Sequence, residues 1–336
     1  MTSAADRRAP ETSRGRRGQD ALLTVEALRA TARALEGVAV RTPLIPVPAL
    51  ASQTNVPVSL KAEHLQPVGA FKIRGAYTAI SRIPADRRAR GVITYSSGNH
   101  GQAVAFAAQL LGIRSVVVMP QRAPAIKVAG VKRLGGEVVI AGNSSAERYE
   151  QARRMAEEQG LAMIPPYESL DVIAGQATCG VEILDAYPEV ETILVPVGGG
   201  GLIAGIAAAV AAIKPTVRVI GIEPVGAPKL ARALEAGQPV LLDHTESLAD
   251  GLLPLAIGKL PFAVMSEVVK ESVQVTESEI AEGVRFLYRE AGLSVEPSGA
   301  VTSAALLSRR VVPSGPTVAI VSGGNVDPEL LQRLVQ

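Results

Sequence analysis

Residues 193–206 read Ile-Leu-Val-Pro-Val-Gly-Gly-Gly-Gly-Leu-Ile-Ala-Gly-Ile, which is an apolar run, four glycines and a run of small residues in succession. The apolar, β-branched part predicts a buried strand, and the small-residue part predicts a helix packed closely on a sheet. Four residues without Cβ let several backbone N–H groups converge at the helix start, where the helix dipole favours an anion. No Lys-Ser or Lys-Thr pair follows, so a nucleotide P-loop is excluded. The segment predicts a phosphate site, with a plain tight turn as the alternative.

The remaining chain continues this alternation of strands and helices. Strand-like runs are found at 91–95, 115–119, 137–140, 192–197, 218–223 and 317–321. Helix-like runs are found at 101–111, 124–133, 145–159 and 277–291. Each of these helices is long enough for a right-handed crossover, so the pattern predicts an α/β fold with parallel sheets. Ligands of such sheets bind beyond the carboxyl ends of the strands, and every polar loop discussed below follows a predicted strand.

Size and composition narrow the class of protein. A chain of 336 residues predicts two unequal lobes, and 47% hydrophobic with 20% charged residues is typical of a globular protein. A net charge of +2, 3% aromatic residues and no Trp argue against nucleic acid as a partner. Residues 1–20 form a basic segment that we expect to be disordered, and no apolar run is long enough for a membrane span. The single Cys179 excludes an internal disulfide, so we expect a cytoplasmic protein.

A second segment provides a candidate reactive amine. Lys72 lies at a predicted helix start between Phe71 and Ile73. An isolated lysine is usually a solvated surface charge, but an amine in an apolar site near the positive end of a helix has a lowered pKa. A Schiff-base lysine needs such a pKa. The phosphate site and this lysine together indicate pyridoxal 5'-phosphate.

Two further polar loops follow predicted strands. Residues 96–102 read Ser-Ser-Gly-Asn-His-Gly-Gln, and residues 322–325 read Ser-Gly-Gly-Asn. The first loop gathers hydroxyls, an amide and helix-start N–H groups, which suit a substrate carboxylate. A serine N-cap followed by a turn asparagine is the alternative interpretation, but it explains only one or two of these residues. The second loop on its own predicts no more than a turn.

Six motifs occur in one order along the chain. They are 71–76 (Phe-Lys-Ile-Arg-Gly-Ala), 96–100 (Ser-Ser-Gly-Asn-His), 173–176 (Ile-Ala-Gly-Gln), 198–201 (four glycines), 296–299 (Glu-Pro-Ser-Gly) and 322–325. With them the chain resembles the fold-type II pyridoxal-phosphate enzymes, in the branch of threonine/serine dehydratases and serine racemases, over nearly everything after residue 22. The resemblance implies a tryptophan synthase β-like α/β fold, with two open, twisted, mostly parallel sheets flanked by helices. It also implies a large cofactor-binding domain (21–80 and 166–336), a small mobile domain (81–165) and a homodimer.

The resemblance assigns roles to residues around the cofactor. Lys72 holds pyridoxal phosphate covalently and is the catalytic base, and Phe71 lies against the cofactor ring. Asn99 bonds the phenolic oxygen, and Ser322 meets the pyridine nitrogen. The phosphate is bound by Gly198, Gly199, Gly200 and Gly201.

The same resemblance assigns the substrate contacts. The substrate carboxylate is bound by Ser96, Ser97, Gly98, Asn99 and His100. Arg148 reaches the site when the small domain closes. Ser97 is a second catalytic residue, because in racemases this position acts on Cα from the face opposite Lys72.

The implied activity is β-elimination of a β-hydroxy L-amino acid, L-threonine or L-serine, to a 2-oxo acid and ammonia. Ala70 stands where the family commonly has serine, so a phenylserine-like or 3-hydroxyaspartate-like substrate stays open. Serine racemase is the alternative within the family. An alternative of another class is a nicotinamide-dependent oxidoreductase, in which 198–201 is the dinucleotide turn and Glu223 is the ribose-binding acid. A non-catalytic protein that keeps the cofactor is the third hypothesis.

The sequence departs from the family at one candidate metal site. Members that bind a divalent cation use a glutamate, a backbone carbonyl four residues on and an aspartate six residues on. Glu223 and Ala227 fit this pattern, but Lys229 replaces the aspartate. The lysine ammonium either takes the place of the cation or belongs to a weak surface salt bridge. We predict no bound metal.

Overall fold

A computed structural model describes residues 22–96, 98–123, 125–142 and 144–336 of the chain. The predicted disordered segment 1–20, Ser97 and Asn143 lie outside the described residues. The strands are β1 (Leu44–Pro46), β2 (Val58–Lys61), β3 (Val92–Tyr95), β4 (Ser115–Met119), β5 (Glu137–Ile140), β6 (Ala162–Met163), β7 (Thr192–Pro196), β8 (Arg218–Pro224), β9 (Glu271–Val275) and β10 (Thr317–Ile320). They form a six-stranded sheet in the order β1-β2-β10-β7-β8-β9 and a four-stranded sheet in the order β5-β4-β3-β6.

The α-helices alternate with these strands. They are α1 (Val25–Ala34), α2 (Pro48–Thr54), α3 (Lys72–Ser81), α4 (Ala85–Arg88), α5 (Asn99–Leu110), α6 (Ala125–Arg133), α7 (Ser145–Gln159), α8 (Leu170–Ala186), α9 (Gly201–Ile213), α10 (Lys229–Ala236), α11 (Lys259–Met265), α12 (Glu277–Glu290), α13 (Pro297–Leu307) and α14 (Pro328–Val335). Among the described residues, no helix combines the length and the apolar character that crossing a membrane requires. The order of the elements confirms the alternation of strands and helices that the sequence predicted.

Both sheets are mostly parallel, as the crossovers predicted. All pairs of the four-stranded sheet are parallel, and only the β1–β2 pair of the larger sheet is antiparallel. The six predicted strands are present within one or two residues of their expected ends. The sequence pattern missed β1, β2, β6 and β9, which are edge strands or lie next to an edge strand.

Alternate residues of the central strands of the larger sheet enter cores on opposite faces. Ile193 and Val195 of β7 pack in one cluster of buried side chains, whereas Leu194 packs in the other. A strand buried on both faces has no polar side, which explains its continuous apolar sequence. On one face, α9 lies so close to α8 that a Cβ on Gly205 would come within 2.6 Å of the Ala177 nitrogen. The small residues after the four glycines are thus required by helix packing.

Helix α3 joins the two halves of the molecule. It packs against α8, which flanks the larger sheet, and against α5, which follows β3 of the smaller sheet. The first residue of α3 is Lys72. The candidate amine therefore lies on a helix that contacts elements of both sheet layers.

Candidate active site

Lys72 is held at the start of α3 by close helix packing. A Cβ on Gly75 would lie 2.8 Å from the Val172 carbonyl oxygen, and a Cβ on Gly175 would lie 2.4 Å from the Arg74 carbonyl oxygen. The Ile-Ala-Gly-Gln motif thus contributes the glycine that lets α8 touch the first turn of α3. Any larger residue at either position would push Lys72 out of place.

A buried ion network fixes the same turn from below. Arg74 donates to both carboxylate oxygens of Glu63, at 2.7 and 2.8 Å, and to Glu182 at 2.7 Å. Lys61 donates to Glu182 at 2.5 Å. Arg74, Glu63 and Lys61 are at most 1% exposed. Although burial disfavours its ionised form, the charges and hydrogen bonds of Arg74 together with Lys61 and Thr42 leave the pKa of Glu63 lowered. Removing one partner of such a network would leave the other charges buried without compensation, so the network keeps this segment in one position.

The Lys72 amine contacts the segment that follows β6. Its Nζ donates a hydrogen bond to the Pro166 carbonyl oxygen at 3.0 Å and lies 5.0 Å from the centre of the Phe71 ring. Burial lowers the pKa of Lys72 from 10.5 to about 8. A far larger fraction of this amine is unprotonated at neutral pH than of a surface lysine, as a nucleophile or base requires.

The four glycines connect β7 to α9, as the sequence predicted. Gly200 has φ of +94°, a conformation that side chains with Cβ rarely adopt, and a Cβ on Gly199 would lie 2.2 Å from the Tyr167 ring. Within the part of the chain that the structure describes, the N–H groups of Gly199, Gly200, Gly201 and Leu202 donate no hydrogen bond. These four donors lie at the start of a 13-residue helix, where the helix dipole favours an anion.

The loop between β3 and α5 places the other polar residues beside this cradle. Gly98 N donates to Ser96 Oγ at 3.1 Å, which shapes the turn into α5. Asn99 begins α5, and its Nδ2 donates to Glu296 Oε1 at 2.6 Å while its Oδ1 accepts from Asn325 Nδ2 at 2.8 Å. The Asn99 amide is thereby oriented at both ends. Ser97, for which the sequence predicted a catalytic role, is outside the described residues.

The loop that follows β10 supplies the last group of polar residues at the site. Phe71 N donates to the Ser322 carbonyl oxygen at 3.1 Å, and Ala70 forms an isolated bridge with Gly323. The Ser322 hydroxyl is buried and donates to the Ser298 carbonyl oxygen over 3.4 Å, a long contact that leaves it available to a better acceptor. The loop that on its own predicted only a turn therefore lies directly beside the lysine segment.

Glu296 is a site residue to which the sequence assigned no role. It is 4% exposed, and burial together with the nearby Asp250 carboxylate raises its pKa to about 7, although Lys127 and Asn99 act in the opposite direction. A Cβ on Gly323 would lie 2.1 Å from its Oε1, so Gly323 must be glycine for Glu296 to reach Asn99. The signal in the sequence was the Glu-Pro-Ser-Gly motif, but its partner is 197 residues away along the chain.

His100 is buried and neutral. Burial and the Lys72 ammonium lower its pKa to about 3, and its Nε2 lies 3.1 Å from the Ile164 carbonyl oxygen. A carbonyl only accepts, so Nε2 carries the proton and Nδ1 is an acceptor. Nδ1 has no hydrogen-bond partner among the described residues. The ring is therefore unsuited to a carboxylate, and the contribution that His100 can make to an anion comes from its backbone N–H.

An ion pair joins the surroundings of the Gly98 turn to those of the glycine loop. Lys127 of α6, beside the smaller sheet, contacts Asp250, which lies in a short 3-10 turn (Asp250–Leu252) beside the cradle. A Cβ on Gly98 would lie 3.4 Å from Lys127 Nζ, so the ammonium lies over the Ser96–His100 loop. Nothing in the sequence indicated this pair, because its members are 123 residues apart.

Arg148 lies in the first turn of α7. Its Nη2 donates to Ser145 Oγ at 2.9 Å, and the side chain is buried. The structure thus places it in the helix that follows β5, and its contact with substrate stays a prediction.

The described contacts bring together a half-buried amine of lowered pKa, a helix start with free N–H groups, an oriented amide and a neutral hydroxyl. A molecule with an anionic tail and an electrophilic carbon matches these groups, because the tail meets the free N–H groups and the carbon meets the amine. Lys72, Asn99, the four glycines and Ser322 are thus connected through Phe71, Tyr167, Glu296 and Asn325.

Comparisons with known proteins agree with this arrangement. A family model described as "Pyridoxal-phosphate dependent enzyme" matches residues 35–323. The L-threonine ammonia-lyase of Thermotoga maritima is 39% identical over 314 residues, which cover 94% of this chain and 78% of that protein. The structure of maize serine racemase superposes with a TM-score of 0.89 at 36% identity, covering 92% of this chain and 96% of that one. The structure of threonine deaminase isoform 2 from Solanum lycopersicum, in its processed form, superposes with a TM-score of 0.86 at 35% identity, covering 92% of this chain and 88% of that one.

Proposed function

Because the chain belongs to the family of pyridoxal-phosphate-dependent enzymes, we propose that it is an ammonia-lyase acting on β-hydroxy L-amino acids. L-threonine and L-serine are the proposed substrates, and the products are a 2-oxo acid and ammonia. The observation that carries the proposal is the half-buried Lys72 amine, with its lowered pKa, joined through Pro166 and Tyr167 to the anion cradle at Gly199. A relative named L-threonine ammonia-lyase that shares this length of sequence supports the choice of reaction.

The residues of the site fit pyridoxal phosphate. The unpaired N–H groups of Gly199 to Leu202 would hold its phosphate, and Lys72 would bind its aldehyde carbon. Asn99 Nδ2 keeps one hydrogen for the phenolic oxygen after it has donated to Glu296. Ser322 would face the pyridine nitrogen with a neutral hydroxyl.

The substrate carboxylate is proposed to bind at the start of α5. Among the described residues, the backbone N–H groups of Asn99 and His100 donate no hydrogen bond, so they are free to meet an anion at the helix N-terminus. Ser96 and Gly98 form the rim of the same turn. Ser97 and Arg148 complete this set as predictions from the sequence.

When bound, pyridoxal phosphate supplies an electron sink for the negative charge that develops at the substrate Cα. Lys72 Nζ is the group that takes the Cα proton, because a pKa of about 8 keeps part of it unprotonated at neutral pH. Ser322 bears no charge and cannot hold a pyridine nitrogen protonated as a carboxylate would. We infer that the neutral Ser322 hydroxyl would in this way favour loss of the β-hydroxyl over slower reactions at Cα.

A screen of β-hydroxy amino acids tests the proposal. Purified holoenzyme is incubated with L- and D-threonine, serine, phenylserine and 3-hydroxyaspartate, and 2-oxo acid, ammonia and the chirality of the remaining substrate are measured. We expect equal amounts of oxo acid and ammonia from an L-substrate, and none from Lys72→Ala. Borohydride reduction of the holoenzyme should place the cofactor on the peptide that contains Lys72. Holoenzyme that carries the label on Lys72 yet releases no oxo acid from any of these compounds contradicts the lyase proposal.

Serine racemase is the second candidate, because the similarity to the maize serine racemase structure is as extensive as the similarity to the threonine deaminase. The same screen separates the two, since a racemase converts L-serine to D-serine without stoichiometric ammonia. The nicotinamide alternative loses support, because the carboxylate of Glu223 is fully buried and bonded to Lys229, Leu230, Ala231 and Ser272. No ribose could reach it without breaking these bonds.

The domain division and the oligomeric state are proposed from the family resemblance. We propose that residues 21–80 and 166–336 form the cofactor-binding domain and that 81–165 form a smaller domain that moves relative to it. We further propose a cytoplasmic homodimer that acts on free amino acids. Size-exclusion chromatography with light scattering tests the dimer.

A further inference from the structure

The candidate metal position contains a buried ion pair. Lys229 and Glu223 are both 0% exposed, which shows that the surface salt bridge considered from the sequence was wrong. Lys229 Nζ donates to the Ala227 carbonyl oxygen at 2.9 Å and to Glu223 Oε1 at 3.2 Å. The ammonium thus bonds the same two oxygens that, by the sequence pattern, a divalent cation would use. A divalent cation does not fit there while Lys229 is present.

The Glu223 carboxylate has its remaining acceptor positions filled. Leu230 N donates to Oε1 at 2.8 Å, and Ala231 N donates to Oε2 at 3.1 Å, so the carboxylate caps the start of α10. Ser272 Oγ of β9 donates to Oε2 at 2.9 Å. Every neighbour is a donor, which is the environment of an ionised carboxylate. A buried anion of this kind requires a nearby positive charge.

We propose that the Lys229 ammonium is an internal cation at an oxygen-lined site, and that the protein therefore needs no dissociable metal ion at this position. The site binds a positive charge because the Glu223 carboxylate and the Ala227 carbonyl converge on one point. Replacing Lys229 by a short residue should turn the same point into a site for a small cation from solution.

The internal cation acts on a turn that leads to the cradle. Residues 225–228 connect β8 to α10, and Ala227 belongs to this turn. Gly226 lies against the Glu246 backbone, where Glu246 N donates to the Gly226 carbonyl oxygen at 3.1 Å. The segment that begins at Glu246 continues to Gly251, whose carbonyl oxygen would lie 3.0 Å from a Cβ on Gly198. The Lys229 ammonium thus holds the turn 225–228 in place, and this turn contacts the segment that lies against Gly198.

The first test measures the thermal unfolding of the wild type and of Lys229→Ala at a fixed scan rate, in choline chloride of constant ionic strength. We expect the apparent Tm of the variant to fall by about 6 °C or more, because removing one partner leaves the buried carboxylate uncompensated. Ammonium, potassium or manganese ions should restore a large part of this loss. The wild type should respond to none of them, nor to EDTA. Lys132→Ala, which removes an exposed lysine of α6, is the matched control and should behave as the wild type.

The second test builds the metal site. Lys229→Asp places a second carboxylate beside Glu223 and should bind one manganese ion per chain, detected by electron paramagnetic resonance of free Mn²⁺, with a rise in Tm that Lys132→Asp does not show. A wild type that binds manganese in a manner abolished by Glu223→Gln would overturn the proposal, and so would variants whose Tm no cation raises. If neither variant folds, the wild-type titration alone decides. Because the readouts are unfolding and metal binding, the outcome is independent of the proposed lyase activity.

Discussion

Replacing Lys72 by methionine should make the cofactor-free protein more stable at neutral pH, although it abolishes catalysis. Burial lowers the pKa of Lys72 from 10.5 to about 8, so the folded chain holds this proton less tightly than the unfolded chain. Each pKa unit corresponds to about 1.4 kcal/mol, which makes the burial of the charged amine unfavourable by about 3 kcal/mol at pH 7. Lys72 keeps partial access to solvent, and methionine leaves the Pro166 carbonyl without its donor, so we expect a net gain of about 1–2 kcal/mol.

The difference in the free energy of unfolding between Lys72→Met and the wild type should depend on pH in a defined direction. Between pH 8 and 10.5 the unfolded wild-type chain binds one more proton at Lys72 than the folded chain does, so the free energy of unfolding of the wild type rises with pH. The methionine variant lacks this contribution, and the difference between the two proteins should shrink over that interval. All other titrating groups are common to both proteins and cancel in the difference.

The assay is urea unfolding of both cofactor-free proteins, followed by circular dichroism at pH 7, 8.5 and 10. Lys132→Met, at an exposed lysine, should change the free energy of unfolding by less than about 0.5 kcal/mol at every pH. A Lys72→Met protein that is less stable than the wild type at pH 7, with a difference that does not vary with pH, would refute the reasoning. Folding would then disfavour the charged form of Lys72 no more than that of an ordinary surface lysine.

Three further predictions concern other groups of the site. Gly199→Ala should weaken cofactor binding at least about tenfold, measured by equilibrium dialysis, because the new Cβ would overlap the Tyr167 ring. The free energy of unfolding of Glu296→Gln should rise relative to that of the wild type by up to about 3 kcal/mol between pH 4.5 and 7. The reason is that the folded carboxyl, with its pKa of about 7, holds a proton that the unfolded one has released, so the wild type loses stability over this interval. A difference in urea midpoint between the two proteins that is the same at pH 4.5 and 7 contradicts this. Lys127→Met should raise KM for the amino acid by about two- to fivefold with little change in kcat, because the Lys127 ammonium lies over the loop proposed to bind the substrate carboxylate. The effect is small because an ion pair to the half-exposed Asp250 contributes less than about 1 kcal/mol, and it should fade at high salt in steady-state kinetics.

The local pattern of the chain was enough to predict the central strands and the loops that follow them. Continuous β-branched runs such as 192–197 fit only a strand buried on both faces, and four successive glycines before a small-residue helix fit an anion cradle. The strand is confirmed and the anion cradle stays a prediction, and both inferences rest on residues that lie close together in sequence. The same locality explains why β1, β2, β6 and β9 were missed, since these strands depend on a neighbouring strand rather than on their own apolar pattern.

Tertiary structure alone decided which polar groups meet. The Asn99–Glu296 bond and the Lys127–Asp250 pair join segments 197 and 123 residues apart, and no pattern within either segment indicates its partner. The Tyr167 ring against Gly199 and the complete burial of Lys229 are likewise properties of packed elements. Burial sets the strength of an electrostatic interaction, and burial exists only once the chain is folded. The sequence by itself therefore determined which residues could do the chemistry, and the fold determined their charge states, partners and reach.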